Sequence, residues 1–147
     1  MANERILIKG TPKTLESSGA SIANNALAQA DDAGYDIFVD GSSYRDAKFV
    51  LTITFSVAPT ENTVVSLYAR PLDIDGTADG EIPEATRPTV YVGAFVVNNV
   101  TTAQTIELLA EDVPWKADYY LHNSGTGQTI SAGWVLKVTP FADAPAP

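Results

Sequence analysis

The sequence contains no cysteine, a single histidine and half as many basic as acidic side chains, and each shortage excludes a class of protein. Without cysteine there is no disulfide, no thiolate metal site and no cysteine nucleophile, so the hydrophobic core alone must stabilise the fold. The one histidine, His122, cannot form a His-rich metal cluster, and we interpret it as an isolated surface or edge residue that has no nucleophile to activate. No Gly-x-Ser-x-Gly elbow is present. We therefore expect that the chain is not an enzyme and needs no cofactor.

The charge balance and the short apolar runs exclude two further partners. Nine basic against eighteen acidic side chains give a net charge of −9, and no basic stripe interrupts this excess. Such a surface repels phosphate groups, so we expect no nucleic-acid partner. The apolar runs are far too short to span a bilayer, so we expect no membrane partner. What the 147 residues do contain is 45% hydrophobic side chains, enough for the core of one domain.

Alternation of apolar and polar residues predicts strands rather than helices. From Phe49 to Val57 every second residue is large and apolar, which is typical of a strand with one buried face. After a turn at Pro59, the segment from Thr63 to Arg70 has the composition of a second strand, and we interpret the two as an antiparallel hairpin. The segment from Thr89 to Val97 is apolar on both faces, which predicts a central strand that is covered on both sides.

About eight such strands, separated by turns, predict an all-β fold, an antiparallel β-sandwich of jelly-roll-like type over residues 35–141. Residues 1–34 are rich in Ser, Ala and Asn and have few large apolar anchors. They are predicted to form an irregular N-terminal arm, either extended or with a short helix within Asn25 to Asp31, that packs on its own sandwich or orders on a partner subunit. Residues 142–147 are predicted to be a flexible tail.

An acidic loop is the candidate metal site. Four carboxylates and two glycines lie close together in it: Asp73, Asp75, Gly76, Asp79, Gly80 and Glu81. Hard oxygen ligands at alternate positions suit calcium. The spacing does not match an EF-hand loop, because Ala78 stands where glycine is required and no helices flank the segment. We favour a solvated acidic loop, and a calcium site remains the alternative.

Aromatic residues near the C-terminus are candidates for ligand contact, since exposed rings can stack on sugar rings: Trp115, Tyr119, Tyr120 and Trp134. Tyr119 and Trp134 alternate in phase with neighbouring leucines, so we predict that both belong to the core. Trp115 and Tyr120 remain as candidates for contact with a ligand or a partner protein.

Residues 117–140 form a recognisable unit: a strand, a turn of Ser, Gly and Thr, and a final strand that begins Gly133-Trp134. This unit resembles the closing hairpin of small structural proteins of tailed bacteriophages, and the capsid decoration (cement) proteins fit best. The resemblance implies a virion protein with a jelly-roll-like fold, made in the host cytoplasm and placed on the capsid exterior. It also implies a homo-oligomer, commonly a trimer, that bridges neighbouring subunits of the major capsid protein. No motif aligns position by position, so it transfers no binding residue.

A second function class fits the same fold. A β-sandwich with exposed aromatic rings is also typical of carbohydrate-binding modules. The alternative is therefore such a module of a tail fibre or a cell-surface protein, with Trp115 and Tyr120 as its contact residues.

Overall fold

The computed structural model describes residues 4–38, 44–74, 80–84 and 90–145, without the side chains of the last two. The regular structure in these ranges consists of strands, and no helix occurs there. The strands are β1 (Arg5–Lys9), β2 (Lys13–Gly19), β3 (Leu27–Gln29), β4 (Tyr35–Asp36), β5 (Asp46–Ile53), β6 (Val64–Pro71), β7 (Val90–Val96), β8 (Gln104–Ala110), β9 (Lys116–Ser124) and β10 (Trp134–Pro145). Within the same ranges, a search for a helix able to cross a membrane finds none.

The strands form two antiparallel sheets that pack face to face, which confirms the predicted all-β, jelly-roll-like sandwich. The first sheet has the order β1-β10-β5-β8, and β2 pairs with β10 along the same edge as β1. The second sheet has the order β3-β9-β6-β7, and β4 pairs with the beginning of β9. Alternate side chains of both sheets point between them and form the core.

The alternation in and after β5 is confirmed through Phe55. Phe49, Leu51, Ile53 and Phe55 are all buried, whereas the residues between them are partly or fully exposed. Val57 was expected to continue this buried face, and that prediction is wrong, because Val57 is 56% exposed. The regular strand ends at Ile53, so the period of two no longer determines the direction of side chains after it.

The predicted hairpin of β5 and β6 is wrong. β5 pairs with β8 and β10 in the first sheet, and β6 pairs with β7 and β9 in the second. The connection between them therefore crosses from one sheet to the other. Two packed sheets lie about 10 Å apart, a distance that this connection can span.

β7 lies at the edge of the second sheet, so the prediction of a covered central strand is also wrong. Phe95 points into the core, but Tyr91 is 59% exposed and Val96 is exposed as well. Apolar residues on both faces of a segment do not distinguish a central strand from an edge strand with an exposed apolar face.

The two ends of the chain differ from their predictions because both take part in the sheets. β1 and β2 pair with β10, and β3 pairs with β9, so residues 5–29 are not an irregular arm. Leu15 and Ile22 are the buried anchors of this region. The short helix expected near Asn25 is corrected to β3. At the other end β10 continues to Pro145, so only residues 146 and 147 of the predicted tail lie outside the described ranges.

The prediction that Tyr119 and Trp134 belong to the core is confirmed. Both side chains are buried, and Tyr119 packs against Phe49 across the sandwich with ring centroids 5.1 Å apart. Trp134 packs against Gly19 of β2, and its Nε1–H donates a hydrogen bond to the carbonyl oxygen of Ala20 at 2.8 Å. The indole is thus fixed both by contact and by a hydrogen bond.

Candidate interaction surfaces

Trp115 lies in the connection just before β9 and is 50% exposed. Its Nε1–H donates a hydrogen bond to the carbonyl oxygen of Asp73 at 2.7 Å. The ring meets that of Phe38 nearly edge-on, with centroids 5.7 Å apart and planes inclined by 60°. The indole is therefore held in one orientation while half of its surface stays open to contact.

Trp115 is the centre of a shallow, two-part depression with volumes of about 300 and 460 Å³. We call its exposed and charged lining the Trp115 surface: Asp36, Phe38, Arg45, Asp73, Ile74, Asp112, Trp115 and Lys116. Arg45 and Asp112 form an ion pair at 2.9 Å. Three carboxylates against two cations leave this surface with one net negative charge. The apolar part is prominent, because Ile74 is 87% exposed.

The structure separates the two aromatic candidates. Tyr120 is only 4% exposed, and its hydroxyl donates to Oε1 of Gln29 at 3.3 Å. Burial, and then the nearby carboxylate of Asp118, raise the pKa of Tyr120. A ring buried in this way cannot stack on a ligand, so Tyr120 is set aside and Trp115 remains.

A row of aromatic side chains crosses the outer face of the second sheet, and the sequence analysis missed it. Tyr120 pairs with Tyr68 on β6, and Tyr68 pairs with Tyr91 on β7. The rings of Tyr68 and Tyr91 meet nearly edge-on with centroids 5.6 Å apart, and His122 lies 6.1 Å from Tyr68. Only Tyr91 of this row is exposed. The row depends on cross-strand register, which a single sequence does not reveal.

His122 does have a serine beside it, so the expectation that it stands apart is corrected. Its Nδ1 lies 2.8 Å from Oγ of Ser124, and Nε2 lies 3.3 Å from the carbonyl oxygen of Asn25. Ser124 in turn donates to Oγ of Ser66 at 2.8 Å. Residues two apart on a strand share a face, and this spacing was the signal that could have revealed the pair. The bond from Ser124 to Ser66 joins β9 to β6, whereas its contacts with His122 lie within β9.

A second apolar depression, of about 530 Å³, lies on the outer face of the first sheet. We call it the β1 groove; its lining residues are Leu7, Lys9, Pro12, Lys48, Leu109, Thr139 and Phe141. Leu7 and Leu109 are about two-thirds exposed, at 65% and 67%. The only charged residues of the lining are the two lysines, and Lys48 pairs with Glu107 at 2.9 Å. The sequence analysis missed the groove because it assigned residues 5–9 to an irregular arm.

β1 is also an edge strand with apolar side chains on both faces. Leu7 points toward the groove, whereas Ile6 and Ile8 point to the opposite face and are exposed as well. In the described part of the chain, β1 pairs with β10 and nothing pairs with its other edge. An exposed apolar edge of this kind is a template for contact with another chain.

The acidic loop is described only in part. Asp73 and Glu81 lie in the described ranges, and Asp75 and Asp79 lie outside them. Among the residues that the structure describes, no three His, Cys, Asp or Glu side chains are grouped so that they could hold a metal ion. The calcium site therefore stays a prediction.

No protein-family model matches the chain, and no curated protein matches it in sequence. One similar solved structure is the C-terminal CBM6 of LamC, a marine laminarinase from Zobellia galactanivorans, with a TM-score of 0.43 and 10% identity over 95% of this chain and 99% of that one. Another is a Bacillus endospore appendage from a family of disulfide-linked pili, with a TM-score of 0.32 and 10% identity over 100% and 96%. Because both TM-scores lie below 0.5, neither similarity carries an argument.

Proposed function

We propose that this chain is a structural subunit of a tailed-bacteriophage virion, which decorates the capsid exterior and binds across neighbouring subunits of the major capsid protein. The observation that carries the proposal is the exposed face of β1, where Ile6 and Ile8 meet solvent at an unpaired sheet edge within the described chain. Soluble proteins cover or charge such edges unless another chain binds there.

Three other features support the same function. The core is large and contains no cysteine, so the subunit needs no oxidation to fold. The composition and order of residues 117–140 resemble the end of decoration proteins, but the predicted closing hairpin is wrong, because β9 and β10 lie in different sheets. A trimer of this chain would repeat each contact with the capsid, and repetition converts weak single contacts into stable attachment.

The test is binding to capsids of the phage that encodes the chain, assembled without it. The purified chain should sediment with these capsids up to a fixed number of copies, and Ile6→Asp should weaken binding roughly tenfold or more. The matched control is Val57→Asp, because Val57 is also exposed and lies at the opposite end of the sandwich. Wild-type protein that fails to bind saturably, or a control that binds as weakly as Ile6→Asp, would overturn the proposal.

The second candidate function is carbohydrate recognition, and one observation favours it. The indole of Trp115 is fixed by Asp73 and Phe38 yet half exposed, as a ring that stacks on a sugar must be. The carboxylates of Asp36 and Asp73 on the same surface could accept hydrogen bonds from sugar hydroxyls.

A glycan array followed by calorimetry tests this candidate. Any glycan bound by the wild type should be lost with Trp115→Ala and partly retained with Trp115→Phe, which keeps an aromatic ring. Tyr91→Ala removes an equally exposed ring from a different face and serves as the control. Equal binding by Trp115→Ala and the wild type would exclude this surface.

A further inference from the structure

We propose that copies of this chain associate head to tail, with the exposed side chains of Ile74 and Trp115 on the Trp115 surface of one copy packed into the β1 groove of the next. The inference rests on the proposed assembly function and names the partner of these two exposed surfaces, which is a second copy of this chain. It uses the groove face of β1, with Leu7 and Lys9, whereas the capsid contact uses the opposite face, with Ile6 and Ile8.

The two surfaces match in apolar character. The groove offers Leu7 and Leu109, both about two-thirds exposed, beside the partly buried ring of Phe141. The Trp115 surface offers the highly exposed Ile74 next to the half-exposed indole. Joining them removes from water apolar side chains that would otherwise stay exposed, and this burial is the main source of association free energy.

The charges of the two surfaces are complementary. The groove is lined by two lysines and no carboxylate. Glu107 neutralises Lys48, and Lys9 makes no ion pair within the described residues, so the groove keeps one uncompensated positive charge. On the Trp115 surface Arg45 and Asp112 neutralise each other, which leaves the carboxylates of Asp36 and Asp73 against the single cation of Lys116. Two copies with a charge of −9 each repel, so a contact that places a cationic patch against an acidic one is favoured over a contact between like charges.

The symmetric alternatives oppose like charges. Groove against groove brings the unpaired Lys9 of both copies together, and the Trp115 surface against itself brings carboxylates together. Antiparallel pairing of two β1 edges centred on Leu7 would set Arg5 of one copy opposite Lys9 of the other, and like charges directly opposite each other destabilise a strand pair. A contact between two different surfaces avoids all three arrangements.

A contact between two different surfaces either closes into a ring or grows as an open chain. A closed ring of three copies would be the trimer expected of a decoration protein. Every copy of a ring, and every copy of an open chain except the two at its ends, uses both its groove and its Trp115 surface. In both cases association weakens as salt screens the charges.

Mixing two variants tests this arrangement directly. Leu109→Asp should disable the groove, Ile74→Asp should disable the Trp115 surface, and each variant alone should sediment as a monomer. Mixed in equal amounts, the two should form a dimer that grows no further, because one intact groove meets one intact Trp115 surface. Val57→Asp should keep the wild-type oligomer, as should Ile6→Asp, since both leave the two surfaces unchanged.

The results separate this inference from the proposed function, because sedimentation of the purified chain needs no capsid. A wild-type chain that stays monomeric and still saturates capsids overturns head-to-tail association and leaves decoration standing. A mixture that stays monomeric while the wild type is oligomeric also overturns it, since the interface then joins other surfaces. Oligomers that form and complement as expected, without capsid binding, support this inference and refute decoration.

Discussion

Replacing Gly19 by alanine tests how closely β2 packs against Trp134. Gly19 pairs with Trp134 of β10, and a Cβ added to it would lie 2.5 Å from Cδ2 of the indole and closer still to Cε2 and Nε1. The indole is buried, and its N–H is bonded to the carbonyl oxygen of Ala20. The ring therefore cannot move aside without breaking this partly buried hydrogen bond.

The expected cost follows from these contacts. Overpacking a core costs about 1–3 kcal/mol, and leaving a buried N–H without its acceptor costs about 1–3 kcal/mol more. Alanine is favoured over glycine in a strand by about 0.5–1 kcal/mol, which offsets part of this. We expect Gly19→Ala to lower the free energy of unfolding by about 2–4 kcal/mol, or the melting temperature by about 10 °C for a chain of this length.

Urea unfolding followed by tryptophan fluorescence measures this change. The matched control is Gly93→Ala, whose Cβ would lie 2.5 Å from a terminal methyl of the half-buried Leu108, a side chain that can rotate away. The control should lose about 1 kcal/mol or less. Backbone preference alone predicts that Gly19→Ala is stabilising, so a variant as stable as the wild type would refute the packing argument.

Buried polar groups and the acidic loop provide three more tests. Asn123→Ala should lower the free energy of unfolding by about 2–4 kcal/mol in urea, because the buried amide donates to the carbonyls of Ile22 and Gln128; a loss under about 1 kcal/mol would contradict this. Burial raises the pKa of the Tyr119 hydroxyl above its unfolded value of about 10. Its contribution to the stability of the fold is therefore complete below that pH and is lost as the pH rises above it, because the unfolded chain ionises first. The melting temperature should fall less steeply with rising alkaline pH for Tyr119→Phe than for the wild type. Tyr91→Phe, which changes an exposed ring, should behave as the wild type. Melting temperatures with calcium and with a chelator should be equal, and a rise with calcium would favour a metal site in the acidic loop.

The sequence predicted best what depends on local periodicity. Phe49 to Phe55 alternate with more polar or smaller neighbours, and the predicted face is buried. A strand sends successive side chains to opposite faces whatever it pairs with, so this pattern can be read without knowing the partner. It fails at Val57 because the strand has already ended.

Pairing could not be predicted in the same way. β5 and β6 follow each other in the chain but lie in different sheets, and β1 finds its partner in β10 at the far end of the sequence. The first 34 residues contain few large apolar side chains, and composition alone predicts an irregular arm. Their strands are instead stabilised by pairing with the backbones of β9 and β10, which composition does not show.

The candidate surfaces were also predicted only in part, because exposure depends on the fold. The sequence offered Trp115 and Tyr120 equally as contact residues. In the fold, the hydrogen-bonded indole of Trp115 is half exposed, whereas the phenol of Tyr120 is buried. The β1 groove brings together Leu7, Leu109 and Phe141 from three distant parts of the chain, so no local sequence pattern could predict it.

The sequence by itself determined that the chain forms strands, that it lacks cysteine chemistry, and that its surface is acidic, since these properties belong to residues and their spacing. Only the tertiary structure decided which apolar residues remain in contact with water. It also decided that lysines lie beside those of the β1 groove and carboxylates beside those of the Trp115 surface. Exposure depends on what lies across the sheet and at its edges, which is a property of the whole fold.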